Sequence, residues 1–204
     1  EVSPGRRLNV SFPDLGHAAV VNLLPVDLPQ VSTYTNTQLV EEYFREQEAK
    51  RRASLGDRPN LIGTVGTVFP NMSYLARQPR SIAMWHPRGA NMTEAWRWFL
   101  IDKGTPEEVK EVLRHYYIRY SGPGGMTEQD DMENWNYAHS ASRGVIARRH
   151  PYNYEMGLNR APSELSVPGT VVMEQICEQN ARGFYNRWAQ LMEARSWDDA
   201  LPNG

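Results

Sequence analysis

Residues 122–135 read Gly-Pro-Gly-Gly-Met-Thr-Glu-Gln-Asp-Asp-Met-Glu-Asn-Trp, and no other segment constrains the fold as much. The run Gly122-Pro123-Gly124-Gly125 excludes regular structure, so a helix before it must stop and a helix after it must start afresh. The second part places four carboxylates in six residues, Glu128 to Glu133, with Trp135 close behind. Like charges this dense repel, and something must compensate them: a cation, a metal or a shifted pKa. On a helix Asp131 and Trp135 lie one turn apart on one face. An indole favours the interior, which turns Asp131 inward as well. A buried carboxylate without a partner is costly, so Asp131 is a candidate metal ligand. The plainer alternative is an acidic helix start held by the positive end of the helix dipole. On residue types alone the plainer alternative is favoured.

The chain has 204 residues, which suits one large domain with a substantial core. A net charge of −2 gives no reason to expect nucleic acid or an anionic membrane. No stretch reads as a signal peptide or a membrane span, and a cytoplasmic location is expected. Six Trp and ten Tyr supply material for a core and for apolar pockets. The single cysteine, Cys177, excludes an internal disulfide and any Cys-based cluster within the chain. It is read as an inert core thiol on the last helix.

Leu8–Phe12 and Ala18–Leu24 read as two strands around a turn. Thr35 and Gln38 form a capping-box pattern for a helix running to about Ser54, with Leu39, Val40, Tyr43 and Phe44 inward and a solvated C-terminal half. Leu61–Phe69, Ser73–Ala76, Arg80–Trp85 and Thr93–Ile101 read as antiparallel strands. Gly63 and Gly66 in the first of these suggest a kink or the close approach of a bulky group. Arg97 among apolar neighbours indicates an edge strand or an ion pair. Thr105-Pro106-Glu107-Glu108 starts a helix with Val109, Val112, Leu113, Tyr116, Tyr117 and Tyr120 on its apolar side. A second helix begins near Glu128 and ends near Gly144. Residues 150–169 read as a long loop, and a last helix spans about Met173 to Ala194. Strands first and helices later predict an α+β domain: a curved antiparallel sheet with helices on one face.

The five histidines, His17, His86, His115, His139 and His150, include no closely spaced pair that one helix could turn on one ion. His139 lies roughly on the face of Asp131, but about 12 Å along the helix axis. His86 reads as a strand-end residue, His115 as a packing residue and His150 as exposed. No nucleophile elbow, P-loop or dinucleotide fingerprint is present.

Four stretches, in order and across nearly the whole chain, carry a resemblance. They are Thr67-Val68-Phe69-Pro70 with Ser73-Tyr74-Leu75; Trp85-His86-Pro87-Arg88-Gly89; Glu128-Gln129-Asp130-Asp131 through Glu133-Asn134-Trp135; and Gly183-Phe184-Tyr185 before Trp188. Together the sequence resembles the large (alpha) subunit of Rieske non-heme iron aromatic-ring-hydroxylating dioxygenases, the biphenyl, toluene and naphthalene dioxygenase group. The resemblance implies a helix-grip (Bet v 1-like) fold, an antiparallel sheet curved around a long helix with a pocket between. It makes Asp131 the aspartate of a two-histidine, one-carboxylate site for mononuclear Fe(II). The family's paired-histidine motif and the motifs for its [2Fe-2S] Rieske cluster are absent. Residues 1–204 therefore read as the distal portion of the catalytic domain, with the remainder of the alpha subunit elsewhere.

By the same match, Met72, Tyr74, Ser121 and Thr127 are expected to bind substrate, with no catalytic residue beyond the metal ligand. Ser121 and Thr127 stand where relatives often carry large aromatics, which implies a roomier cavity and a larger or polycyclic substrate, unless neighbouring side chains fill the gap. The implied reaction is cis-dihydroxylation of an aromatic hydrocarbon with O2, with electrons from NADH through a reductase and a ferredoxin. A beta subunit in a trimeric alpha–beta assembly is the implied partner. The competing reading is a non-catalytic helix-grip module that binds hydrophobic ligands.

Overall fold

Seven antiparallel strands form one sheet in the order β6-β5-β4-β3-β2-β1-β7. The strands are β1 (Arg7–Phe12), β2 (His17–Leu23), β3 (Leu61–Val68), β4 (Met72–Leu75), β5 (Ser81–Pro87), β6 (Thr93–Phe99) and β7 (Thr170–Val172). Among the described residues five α-helices and a 3-10 turn (Ala147–Arg149) accompany them: α1 (Gln38–Leu55), α2 (Glu107–Ser121), α3 (Glu128–Ser142), α4 (Gln179–Glu193) and the short α5 (Trp197–Ala200). This computed structural model describes residues 7–24, 37–56, 61–77, 79–163, 165, 167–172, 174 and 176–201.

The expected α+β architecture is present, and the six strands read from alternation lie within a residue or two of their expected bounds. Two departures occur near the C-terminus. Residues 170–172 form β7, paired with β1, between the expected loop and the expected last helix. Three residues are too few to display a period of two. The last helix starts at Gln179, so Cys177 precedes it. The thiol is half-buried and accepts a hydrogen bond from Asn9 Nδ2 at 3.1 Å, which places it in a polar cluster and not on an apolar helix face. The helix α1 begins after Thr37, which makes no side-chain cap; Thr35 lies outside the described residues. Its C-terminal half is not wholly solvated, because Glu48 is buried beneath Arg51 and Arg52.

A bulge in β3 organises the two faces of the sheet. Val20 pairs with Val65 and Val21 with Gly63, which leaves Thr64 as the extra residue. Its hydroxyl donates to the Val20 carbonyl at 2.8 Å. One extra residue reverses the alternation beyond it. Leu61 thus packs with Leu8, Val10, Val21 and Val171, a core closed from outside by Leu165 and Val167. On the other side of the bulge, Val65 and Thr67 belong to the opposite face, the one crossed by the helices. A second core joins α1 to α2 through Val40, Phe44, Val109 and Leu113, with Phe99 and Ile101 packed against it.

Candidate functional site: a groove between two helices and the sheet

The helices α3 and α4 cross the same face of the sheet at opposite flanks. On the α4 side, Asn180 Nδ2 donates to Asn9 Oδ1 (3.0 Å) and to the Ala19 carbonyl (3.2 Å). Farther along, Phe184 meets Phe69 edge to face, with ring centroids 5.0 Å apart. On the α3 side, Glu128 forms an ion pair with Arg97 of β6. One face along, Trp135 meets Trp85 of β5 at 5.5 Å, again edge to face. His139 Nε2 lies 3.1 Å from Asn91 Oδ1 in the β5–β6 turn.

Between the two helices lies a cavity of about 510 Å³. Its floor is made by Ala18, Val20, Val65, Thr67, Ser73, Leu75, Ser81 and Ala83, and its walls by Trp85, Trp135, Ala181 and Phe184. Half of these floor residues, Ala18, Ser73, Ser81 and Ala83, are small and leave the space above them open. A second space of about 700 Å³, lined by Pro70, Asn71, Met72, Pro87 and Thr93, shares Thr67, Ser73, Trp85, Trp135 and Phe184 with the first. The two form one groove with an aromatic waist. Its polar groups are largely engaged with one another: Trp85 Nε1 donates to Ser73 Oγ at 2.8 Å, and Arg97 and Glu128 are paired. Burial lowers the Arg97 pKa, while Tyr117 and Tyr120 pull it the other way. Inside the groove a guest therefore meets chiefly apolar surface, the usual character of a site for an uncharged ring.

The match to known families accounts for this geometry. Residues 9–194 match the family described as ring hydroxylating alpha subunit (catalytic domain). The chain belongs to that family. It is 38% identical over 164 residues to the biphenyl 2,3-dioxygenase subunit alpha of Rhodococcus jostii, covering 78% of this chain and 35% of that protein. It is 33% identical over 177 residues to the benzene 1,2-dioxygenase subunit alpha of Pseudomonas putida, covering 86% and 38%. Among solved structures, the naphthalene 1,2-dioxygenase of Rhodococcus sp. bound to indole aligns over 96% of this chain and 48% of that one, at 25% identity and a TM-score of 0.70. A naphthalene 1,2-dioxygenase mutant bound to phenanthrene aligns over 98% and 45%, at 25% identity and a TM-score of 0.76. The chain thus spans between about a third and a half of the length of these relatives.

Within this ring-hydroxylating catalytic-domain chain, the residues expected at the site are not gathered in one place. Asp131 sits in the first turn of α3 but is exposed, as is every residue from Asp130 to Ala141. Trp135 is 52% exposed. The expectation that both point into the interior is therefore corrected: Trp135 touches Trp85, and the described residues leave residues 130–141 of α3 exposed. Among the described residues, no three His, Cys, Asp or Glu side chains form a group able to hold a metal. These residues alone do not fit a three-ligand centre.

Met72 and Tyr74 lie on β4 and both border the groove, Met72 at the outer space and Tyr74 at the inner one, while the side chain aimed at its middle is that of Ser73 between them. Ser73 pairs with Ala83 and bonds to Trp85 on the helix-covered face. The Tyr74 ring folds over Gly66, the bulky neighbour that the glycine accommodates. Burial raises the pKa of its phenol. Ser121 ends α2 half-buried, and Thr127 is exposed ahead of α3. Neither lines the groove. The room in the groove comes instead from Ala18, Ser73, Ser81 and Ala83. Their signal was available: small residues recur at alternate positions of neighbouring strands.

Of the histidines, His17 Nδ1 accepts from the Phe69 amide at 3.0 Å and helps set the waist. The imidazole of His115 is exposed and contacts Glu111 at 3.0 Å, so it is not a packing residue. No helix among the described residues is long and apolar enough to cross a membrane.

Proposed function

We propose that this chain forms the substrate-gripping, distal part of the catalytic domain of an aromatic-ring-hydroxylating dioxygenase alpha subunit. The observation that supports it most is the groove: an apolar space walled by Trp85, Trp135 and Phe184, in a chain of this family. The names of the relatives, biphenyl and benzene dioxygenases, indicate aromatic hydrocarbons as the substrate class. In the assembled enzyme the substrate ring, O2, NADH and a proton become a cis-dihydrodiol and NAD+. Mononuclear iron, the Rieske cluster and the paired histidines belong, in this reading, to the rest of the subunit. A beta subunit, a ferredoxin and a reductase complete the system.

The part played by the present residues is physical. The edge-to-face indoles and Phe184 orient a flat ring, and the apolar floor keeps water off it. Asp131 is the carboxylate this chain offers to the iron. The bare flank of α3 supports a role for the remainder of the subunit in covering it.

A direct test replaces the matching part of the Rhodococcus jostii biphenyl dioxygenase alpha subunit with this chain and adds that enzyme's beta subunit, ferredoxin and reductase. The expected result is a dihydrodiol carrying both atoms of isotopically labelled dioxygen. Asp131→Ala should abolish iron content and product while preserving the circular dichroism spectrum. Iron and product unchanged in Asp131→Ala would reject the assignment. Binding of aromatics without any product would favour the ligand-binding module instead.

A further inference from the structure

Among the described residues α3 meets the sheet and its β5–β6 turn through Trp135, His139 and Glu128, and these contacts differ in burial. Trp135 on Trp85 is half-exposed, and His139 on Asn91 is exposed. The ion pair of Glu128 with Arg97 is enclosed: Glu128 is 8% exposed, the one buried residue of α3. The start of α3 is also tied to α2, through the Met126 amide on the Arg119 carbonyl (2.9 Å) and Gln129 on the Gly122 carbonyl. Those bonds fix where α3 begins, but not how it is rolled over the groove. Roll is set by the side of the helix that is anchored to β6. Residues three and seven positions apart share one stripe of a helix, so Glu128, Asp131 and Trp135 turn together. A roll of the helix swings the groove-side indole sideways by the roll angle times its distance from the axis, about 5–6 Å at the side-chain radius.

We propose that Arg97, acting through Glu128, is a positioning residue that sets the roll and height of α3 over the sheet and thereby the size of ring system the groove admits. This deepens the dioxygenase reading, on which its consequence for substrate choice rests. Arg97 suits the task because it stands on an edge strand at the groove floor, opposite Ala83, with Tyr117 and Tyr120 of α2 beside it. Without the guanidinium, the Glu128 carboxylate would be a buried charge with its partner lost, a state that a helix start relieves by moving toward water. The exposed contacts at Trp135 and Asn91 are too weakly enclosed to resist that movement.

The test uses the full chain and needs no turnover. Amide hydrogen exchange is measured in Arg97→Met, Arg97→Lys and the milder Glu128→Gln, comparing residues 128–135 of α3 with 180–190 of α4. Exchange in α3 should quicken about tenfold in Arg97→Met, stay near the parent in α4, and be largely restored in Arg97→Lys. Quenching of tryptophan emission by naphthalene and by phenanthrene then gives the ratio of their dissociation constants, which should shift by about tenfold in Arg97→Met. Unchanged α3 protection, equal losses in α3 and α4, or an unchanged ratio would each overturn the proposal. Dihydrodiol formation by the chimaeric subunit is scored separately. Its absence would count against the dioxygenase reading without altering what the exchange and quenching results say about Arg97.

Discussion

Gly16→Ala should be among the more damaging single-methyl additions in this chain, and its cost can be built from two terms. Gly16 closes the β1–β2 hairpin at φ +70°, with its amide on the Pro13 carbonyl at 3.2 Å. A residue with a side chain loses roughly 1–2 kcal/mol in that left-handed conformation. The new methyl would also stand 2.9 Å from Arg187 Cβ and 2.9 Å from Phe69 Cγ. Neither atom is the loose end of a flexible chain: one lies at the root of an α4 side chain, and the other belongs to the ring that packs on Phe184. Overpacking of this sort costs about 1–3 kcal/mol, so the sum is about 2–5 kcal/mol. That is a large share of a typical domain stability of roughly 5–15 kcal/mol. Urea unfolding followed by tryptophan emission would measure it as a lowered midpoint at constant slope. Gly16→Asn separates the terms, because asparagine tolerates the conformation but keeps the methylene. It should retain the packing part alone. A loss below about 0.5 kcal/mol in Gly16→Ala would refute the claim that the hairpin turn is pressed against the groove wall.

Leu113→Ala empties a buried position of the α1–α2 core, where Leu113 is 2% exposed beside Val40, Phe44 and Val109. Calorimetry should show a loss of about 2–5 kcal/mol. For pH, the hydrogen bond from Arg51 holds the Glu48 carboxyl below its ordinary value of 4.5, with burial opposing and Arg52 assisting. A depressed folded pKa stabilises above the unfolded value and loses that contribution as pH falls through the folded one, so Glu48→Gln should flatten the stability profile between about pH 5 and pH 3. An unchanged profile there would show that the cluster contributes nothing. Trp85→Phe deletes the donor to Ser73 Oγ and should cost about 0.5–1.5 kcal/mol. The same change should alter the emission of Trp135, and an unaltered Trp135 spectrum would contradict the edge-to-face contact.

The frame of the fold was legible because each of its signals is local. Six strands show alternation over four or more residues, and α2 carries both its start signal and its apolar stripe. Arg97 was legible in outline as well, since a cation amid apolar alternation demands an edge or a partner, and it has both. The glycine pair in β3 signalled a kink and a bulky neighbour, which are the Thr64 bulge and the Tyr74 ring. What escaped is what a single register step decides. The bulge reverses which β3 residues face the helices, and no residue type announces it. With β7, the pairing to β1 and not the three residues themselves makes the strand.

The site was legible in its walls and misread in its direction. Trp85, Trp135 and Phe184 all lie in the stretches that carried the family resemblance, and the structure brings them together at the groove. Met72 and Tyr74 both border the groove, whereas Ser121 and Thr127 lie outside it, because a matched loop or helix end does not carry the position of its side chains with it. Asp131 shows a different limit. Its inward aim was inferred from Trp135, as if an indole could be satisfied only by enclosure. Here the indole is satisfied by one neighbouring ring, with half its surface left open. The buried carboxylate of the acidic run is Glu128, three residues earlier, and its compensating charge is a guanidinium from the sheet. Dense negative charge at the start of α3 is therefore handled in two ways: the first carboxylate is buried against a guanidinium at the floor of the groove, and Asp131, on the same stripe, stays exposed to solvent.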